Sequence, residues 1–411
     1  FLVLYWRLYN SSLLAITPSK QITHYAPCKT EVRTTAYDKP SIPIPSLPDF
    51  AAYEKNLYDY DDIVYPVPFN QLYHNKSLRY ENFGGRFDGM NEAVITGEIP
   101  PFSHHTSDVL MMTGATENHA YASFNCLYSM VLADPYASYA YLDGGMSSDI
   151  RAKLYAHFDT ILQIQRKMAS TGVLSYRRLN WKSVPKWWYI EENPMQRGGY
   201  AFKVIPYLDV FYEWQGIFYW LDAGDLIREG ISRELTMVRH YGLYSPPSAG
   251  NVGIWVHNKT QQFLVENGLF SHFVPNNSPM ISSGVLIMDY NNATIRDCFV
   301  PIFQMCAYTR KCIAPVESSL NNHRFDQAVV SLLIAYYGVP YSGSKYRYHP
   351  VLRRDGGNNE AFLLPTLHNL FLKIQDAYSI RFNNSYYETR NITYTREMYK
   401  YISRPLDKEW T

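Results

Sequence analysis

No uninterrupted apolar run of about 20 residues, the length a helix needs to cross a bilayer, occurs anywhere in the 411 residues, so the chain as given contains no spanning helix. It also lacks a dominant charge. The formal net charge is +1 and only 18% of residues are charged, which excludes a global attraction to nucleic acid or to an anionic membrane and leaves binding to local sites. Three phosphate and nucleophile motifs are missing. Without G-x-G-x-x-G or G-x-x-x-x-G-K-[ST] a nicotinamide or P-loop site has no cradle, and without G-x-S-x-G a serine-hydrolase elbow has no nucleophile. The five cysteines (Cys28, Cys126, Cys298, Cys306, Cys312) do not form paired C-x-x-C units, which excludes a structural zinc site of that kind. There is no internal repeat.

What is present begins with aromatic residues: 37 Tyr, 20 Phe and 8 Trp suit sheet packing and also stacking against sugars or bases. N-x-S/T sequons start at Asn10, Asn75, Asn258, Asn276, Asn292, Asn383 and Asn391. Chance would supply roughly three in such a composition, so the excess points to a lumenal or secreted chain. One or two disulfides and a leftover thiol fit that compartment, with Cys306 and Cys312 as the first pair. The opening FLVLYWRLYNSSLLAI reads either as the end of an N-terminal signal anchor or as a short hydrophobic strand.

Along the chain, residues 1–50 end in the proline-rich KPSIPIPSLPDF and read as a stem or linker. Residues 51–105 form a tyrosine-rich N-terminal extension, residues 106–345 a core domain, and residues 346–411 a C-terminal wrap. Within the core, DVLMMTGA from Asp108 and SYAYLD (Ser138–Asp143) are strands followed by helices, the second helix capped at Ser147 and running to about Met168. A short strand follows near Val173–Arg177. GIFYWL (Gly216–Leu221) has the content of a strand covered on both faces, and SSGVLIMD (Ser282–Asp289) is another. A charged amphipathic segment runs after Asp225 to about His240, SPPSAGNVGIWVH is loop-like with a strand at its end, and helices cover about Ala293–Thr309 and Gln327–Tyr337. Alternation of strands and helices predicts an α/β fold with a mostly parallel central sheet.

Candidate chemistry falls at element ends: Thr113–Gly114, Asp143, Asp222 with Asp225, Gly284, and His323 to Gln327. Ligands of open α/β sheets lie outside the carboxyl ends of the strands, where Asp222 and Asp225 arrive to meet a metal ion or a ribose. Lys203 and Arg324 add positive charge for a nucleotide diphosphate leaving group. Each has a plainer explanation. The Asp pair can be a polar turn with a helix cap, Lys203 a solvated lysine, Asp143 a strand terminator, His323 a loop residue, and Asp326 a carboxylate complementing a helix macrodipole.

DVLMMTGATENHAYASFNCLYS, YAYLDGGMS, YAFKVIPYLDVFYEWQGIFYWLDAGDLI and CIAPVESSLNNHRFDQ together resemble the lumenal GT-A-like nucleotide-diphospho-sugar transferases, over about Asp108–Gly338. The resemblance implies a Rossmann-like GT-A domain that binds a UDP- or GDP-sugar, usually with Mn2+ or Mg2+ at an Asp-x-Asp motif. Here the second carboxylate comes one place later, in Asp222-Ala223-Gly224-Asp225. By position, Asp222 would meet the ribose or metal and Asp225 the metal, while Thr113, Gly114 and Asp143 would line the nucleoside. Lys203 would approach the diphosphate. Asp326, Gln327 and His323 would face the sugar or acceptor, with Asp326 as base if the reaction inverts and as a donor-orienting group if it retains. The implied function is transfer of a sugar to a glycan or glycoprotein in the Golgi or ER lumen, the membrane being reached only through an N-terminal anchor beyond this sequence; a secreted form is the variant. Nucleic acid is not an expected partner. Two rivals stay open: a catalytically silent glycan- or protein-binding module on the same fold, and a metal-dependent phosphohydrolase.

Overall fold

The computed structural model describes residues 79–81, 94–105, 107–188, 198–227, 231–339 and 351–353. The expected stem, most of the N-terminal extension and most of the C-terminal wrap, with Cys28 and four of the sequons, lie outside the described residues.

The first strand, β1 (Val109–Ala115), is followed by α1 (Ala120–Ala133), β2 (Ser138–Asp143), α2 (Ser148–Lys167) and β3 (Leu174–Arg178). Then come α3 (Ala201–Trp214), β4 (Ile217–Leu221), β5 (Asp225–Ile227), α4 (Ser232–Tyr241) and β6 (Leu243–Tyr244). The rest is β7 (Pro247–Asn251), α5 (Val252–Trp255), α6 (Asn258–Glu266), β8 (Pro279–Ile281), β9 (Val285–Asp289), α7 (Val300–Tyr308), α8 (Arg310–Ile313), α9 (Asp326–Tyr337) and β10 (Val351–Arg353). Six strands form the central sheet in the order β3-β2-β1-β4-β9-β6. β1 to β4 are parallel neighbours and β9 runs antiparallel to both β4 and β6, so the mostly parallel α/β fold expected from the sequence is what forms.

Side chains alternate across each strand, and both faces are covered. Leu110, Met112, Phe218, Trp220, Leu286 and Met288 bury one face against α3, α7 and α9. Met111, Tyr139, Tyr141, Tyr219, Leu221 and Ile287 bury the other against α1, α2 and α4. That double burial explains why these strands carry no polar alternation in the sequence.

The charged amphipathic segment after Asp225 opens on β5, antiparallel to β10, and becomes a helix at Ser232. One element expectation changes. In SPPSAGNVGIWVH the strand comes first, as β7 paired with β8, and the end is the short helix α5, because Asn251 caps it by accepting the Ile254 N–H at 3.2 Å.

The Cys306–Cys312 disulfide is present; Cys298 also takes part in a disulfide, and Cys126 is a buried free thiol. No helix among the described residues is long and apolar enough to cross a membrane.

Candidate functional site

The chain builds β1, β2 and β3 outward in one direction and then places β4 on the other side of β1, so the sheet has its topological switch point between β1 and β4. A crevice opens outside the carboxyl ends of the strands at such a point. Asp222 follows β4 directly. A tight turn, closed by the Asp225 N–H on the Asp222 carbonyl at 2.9 Å, brings Asp225 back beside it, and the Asp222 N–H donates to Gly284 O at 2.7 Å. A Cβ on Gly284 would lie 2.8 Å from Asp225 Oδ2 and 3.1 Å from Asp222 Oδ2. The two carboxylates therefore converge over a glycine that leaves them room.

Lys203, in the first turn of α3, reaches into the same place. Its Nζ donates to Asp222 Oδ1 at 2.7 Å and lies 3.0 Å from Asp326 Oδ2, tying the end of β4 to the start of α9. The lysine is buried; burial alone would depress its pKa, but the two carboxylates outweigh that and raise it, so the ammonium is charged. Asp326 is buried as well. Burial raises its pKa and the neighbouring Asp222 adds to the rise, while Lys203 and a hydrogen bond from Ser283 oppose it. Trp220 Nε1 donates to the same Asp222 oxygen at 3.0 Å.

Strained backbone surrounds this cluster. Gly198, Gly199 and Tyr200 have consecutive φ values of 53°, 59° and 63°, and Phe325 has φ 48° with ψ −117°, a conformation that costs a side-chain-bearing residue of the order of 1–3 kcal/mol. The strain has a packing reason. A Cβ on Gly199 would lie 2.9 Å from the Phe325 ring, Tyr200 packs edge-on to that ring, and Lys203 Nζ lies over the Tyr200 ring at 5.3 Å. Phe325 then directs the chain so that Asp326 opens α9 with its carboxylate at the helix N-terminus.

The structure thus brings together Lys203, Asp222, Asp225 and Asp326, with Gln327 half-buried beside Asp326. Other sequence candidates go elsewhere. Thr113 lies on the α1 face of β1 against Cys126, because strand alternation turns it away from the α3 side. Gly114 is required by β2: a Cβ there would meet Leu142 Cβ and O at 2.5 Å, so its lack of a side chain serves strand packing and not phosphate approach. The Asp143 carboxylate is fully buried; Oδ1 accepts the Gly145 and Met146 N–H groups at 2.8 and 2.7 Å, and Oδ2 accepts the Tyr176 hydroxyl at 2.6 Å. Asp143 shapes the loop after β2, in keeping with a strand terminator. His323 bridges Ile313 O at 2.9 Å and the His257 N–H at 3.1 Å, and burial lowers its pKa to about 4, so it is a neutral loop-binding imidazole. Arg324 stacks on Trp255, with the guanidinium carbon 4.1 Å from the ring centroid.

Sequence reasoning missed Tyr200, Trp220, Ser283 and Phe325. The Gly198-Gly199 pair was the available signal for the first of these, since glycine doublets mark left-handed turns; the others carry no motif.

Two converging carboxylates are what a hard divalent cation takes from a protein when substrate phosphates and water complete its shell, so Asp222 and Asp225 fit one. Among the described residues no group of three His, Cys, Asp or Glu side chains gathers to hold a metal by itself.

No family model matches the chain, and no curated protein matches it. Among solved structures it is similar to the WbbM bifunctional glycosyltransferase, at 10% identity with a TM-score of 0.38 over 70% of this chain; it spans about half, 47%, of that protein. It is also similar to the galactosyltransferase LgtC in complex with donor and acceptor sugar analogues, at 13% identity and TM-score 0.37 over 64% of this chain and 95% of that one. A third is the mannosyltransferase Ktr4p from S. cerevisiae in complex with GDP, at 10% identity and TM-score 0.37 over 71% and 83%. These are distant likenesses, and the fold class of this chain, a mostly parallel α/β sheet covered by helices on both faces, stands on its own strand order.

Proposed function

We propose that the chain is a glycosyltransferase that moves a sugar from a nucleotide-diphosphate donor to a glycan or glycoprotein acceptor in the secretory pathway. The observation that carries this reading is the Lys203 ammonium spanning Asp222 and Asp326 at the switch point of the sheet. Nucleotides bind α/β sheets in that crevice, and acidic groups beside a buried cation suit a reaction in which charge builds on a departing diphosphate. In the transfer, the bond from the anomeric carbon to the diphosphate oxygen breaks, a bond from that carbon to the acceptor oxygen forms, and the acceptor hydroxyl gives up its proton. Asp222 and Asp225 would hold Mn2+ or Mg2+, which when bound supplies charge stabilisation to the leaving diphosphate. Lys203, already charged, adds to that stabilisation as its long side chain reaches the phosphates. Asp326 keeps a raised proton affinity, which suits taking the acceptor proton if configuration inverts; with retention it orients the donor. Gln327, half-buried beside Asp326 in the first turn of α9, would face the sugar. The sequon excess supports the lumenal setting.

Calorimetry with UDP- and GDP-sugars, with and without Mn2+, tests the reading: a donor that binds with metal and is consumed when a glycan acceptor is added is the expected result, and no binding across the set would refute it. Asp222→Asn is expected to lower turnover at least 100-fold, an effect of the order of 3 kcal/mol on the transition state. A glycan-binding module would keep its ligand with that substitution. A phosphohydrolase would release phosphate without acceptor.

A further inference from the structure

Three N-x-S/T sequons fall within the described residues, at Asn258, Asn276 and Asn292. Two of them, Asn258-Lys259-Thr260 and Asn292-Ala293-Thr294, end in threonine, so the motif alone ranks those two equally. The fold separates them. Asn258 is the first residue of α6; it is exposed, and its side chain makes no hydrogen bond to a described residue. The helix asks nothing of it. His257 caps α6, its Nδ1 accepting the Lys259 N–H at 3.3 Å, and Thr260 turns inward, fully buried, to donate its hydroxyl to Cys312 O at 2.8 Å. The threonine has a packing reason to stand there and the asparagine, among the described residues, has none.

Asn292 is engaged on both sides of its amide. Half-buried in the turn after β9, it accepts the Ile295 N–H on Oδ1 at 3.1 Å and so holds the start of the helical segment Ile295–Phe299. The same side chain packs against Gly242, the left-handed residue (φ 82°) that closes α4, where a Cβ would lie 2.3 Å from both Cγ and Nδ2 of Asn292. Nδ2 is the atom to which an N-glycan is joined. A sugar ring on it would displace the turn, the contact with Gly242, or both.

N-glycans are attached to the chain before it folds, so a chain modified at Asn292 would have to fold around the sugar, whereas one modified at Asn258 carries it into water. We infer that Asn258 is an N-glycosylation site of this protein and that Asn292 is a structural asparagine that stays unmodified in the folded molecule. In the modification, Asn258 Nδ2 gives up a proton and bonds to the anomeric carbon of an N-acetylglucosamine, whose bond to a lipid-linked diphosphate breaks. The inference rests on the lumenal setting proposed above and is independent of the transferase chemistry.

The test is peptide mass spectrometry on the full-length folded protein isolated from cells that make it, after an N-glycosidase in 18O-water has turned each glycosylated asparagine into labelled aspartate. Label at Asn258 and none at Asn292 is the expected result. Asn258→Gln should remove one glycan, seen as a single step in gel mobility, and after enzymatic deglycosylation it should unfold at the wild-type urea midpoint. Asn292→Ala should leave the glycan count unchanged and lower that midpoint, because the Ile295 N–H loses its acceptor. Label at other sequons but not at Asn258, or label at Asn292, overturns the inference and leaves the lumenal setting intact. An Asn292→Ala protein as stable as wild type overturns the structural role given to Asn292. A protein with no label at any sequon removes the lumenal setting and this inference together.

Discussion

Replacing Lys203 by Met removes the ammonium between two carboxylates while keeping most of the side-chain volume. The Lys203 side chain is 10% exposed and that of Asp326 only 4%, so the mutation strands a charge with little access to water. Breaking a buried pair by deleting one partner costs about 3–5 kcal/mol. Asp222, with 30% of its side chain exposed, is partly screened and adds no more than about 1 kcal/mol. A total near 4 kcal/mol is therefore expected at neutral pH, read from urea melts. The sign of its pH dependence follows from Asp326. Without the lysine its folded-state pKa rises further above the unfolded value, a raised carboxylate loses stability as pH climbs past the unfolded pKa, and the deficit should shrink as the pH is lowered toward 4. Asp326→Asn in the same background removes the stranded charge, so the double-mutant cycle should return a coupling of about 2–4 kcal/mol. A Lys203→Met protein within about 0.5 kcal/mol of wild type, or a coupling that small, would refute the account of the site as a buried ionic bridge.

Gly284→Ala should push the two aspartates apart, since the new Cβ would lie 2.8 and 3.1 Å from their oxygens; Mn2+ affinity by calorimetry is expected to fall at least tenfold, and an unchanged affinity would remove Gly284 and its carboxylates from the metal argument. His323 is held neutral with a folded pKa of about 4 against an ordinary 6.5, so between those values the unfolded chain binds a proton that the folded chain does not. Stability from this group is present above pH 6.5 and is lost as pH falls to 4, by about 3 kcal/mol; His323→Gln should flatten that window in melts taken from pH 7 to 4.

Much of the architecture was legible because it depends on local pattern. Uninterrupted apolar runs marked Met111, Tyr139, Phe218 and Ile287 as strand residues buried on both faces, and they are. Asp222, Asp225 and Asp326 were legible as strand-end and helix-start carboxylates. Gly114 and Asp143 carried the same kind of signal and led elsewhere, because a glycine at a strand end satisfies a neighbouring strand as readily as a phosphate, and an aspartate after a strand readily caps its own loop.

By itself the sequence determined which segments become strands and helices and which charges stand at their ends, since hydrophobic periodicity and turn chemistry act over a few residues. Only the tertiary structure decided which of those ends meet. Lys203 and Asp326 are joined by the order in which strands enter the sheet and by the left-handed turns at Tyr200 and Phe325, and that order follows from the summed burial of both sheet faces, which no local window of residues contains.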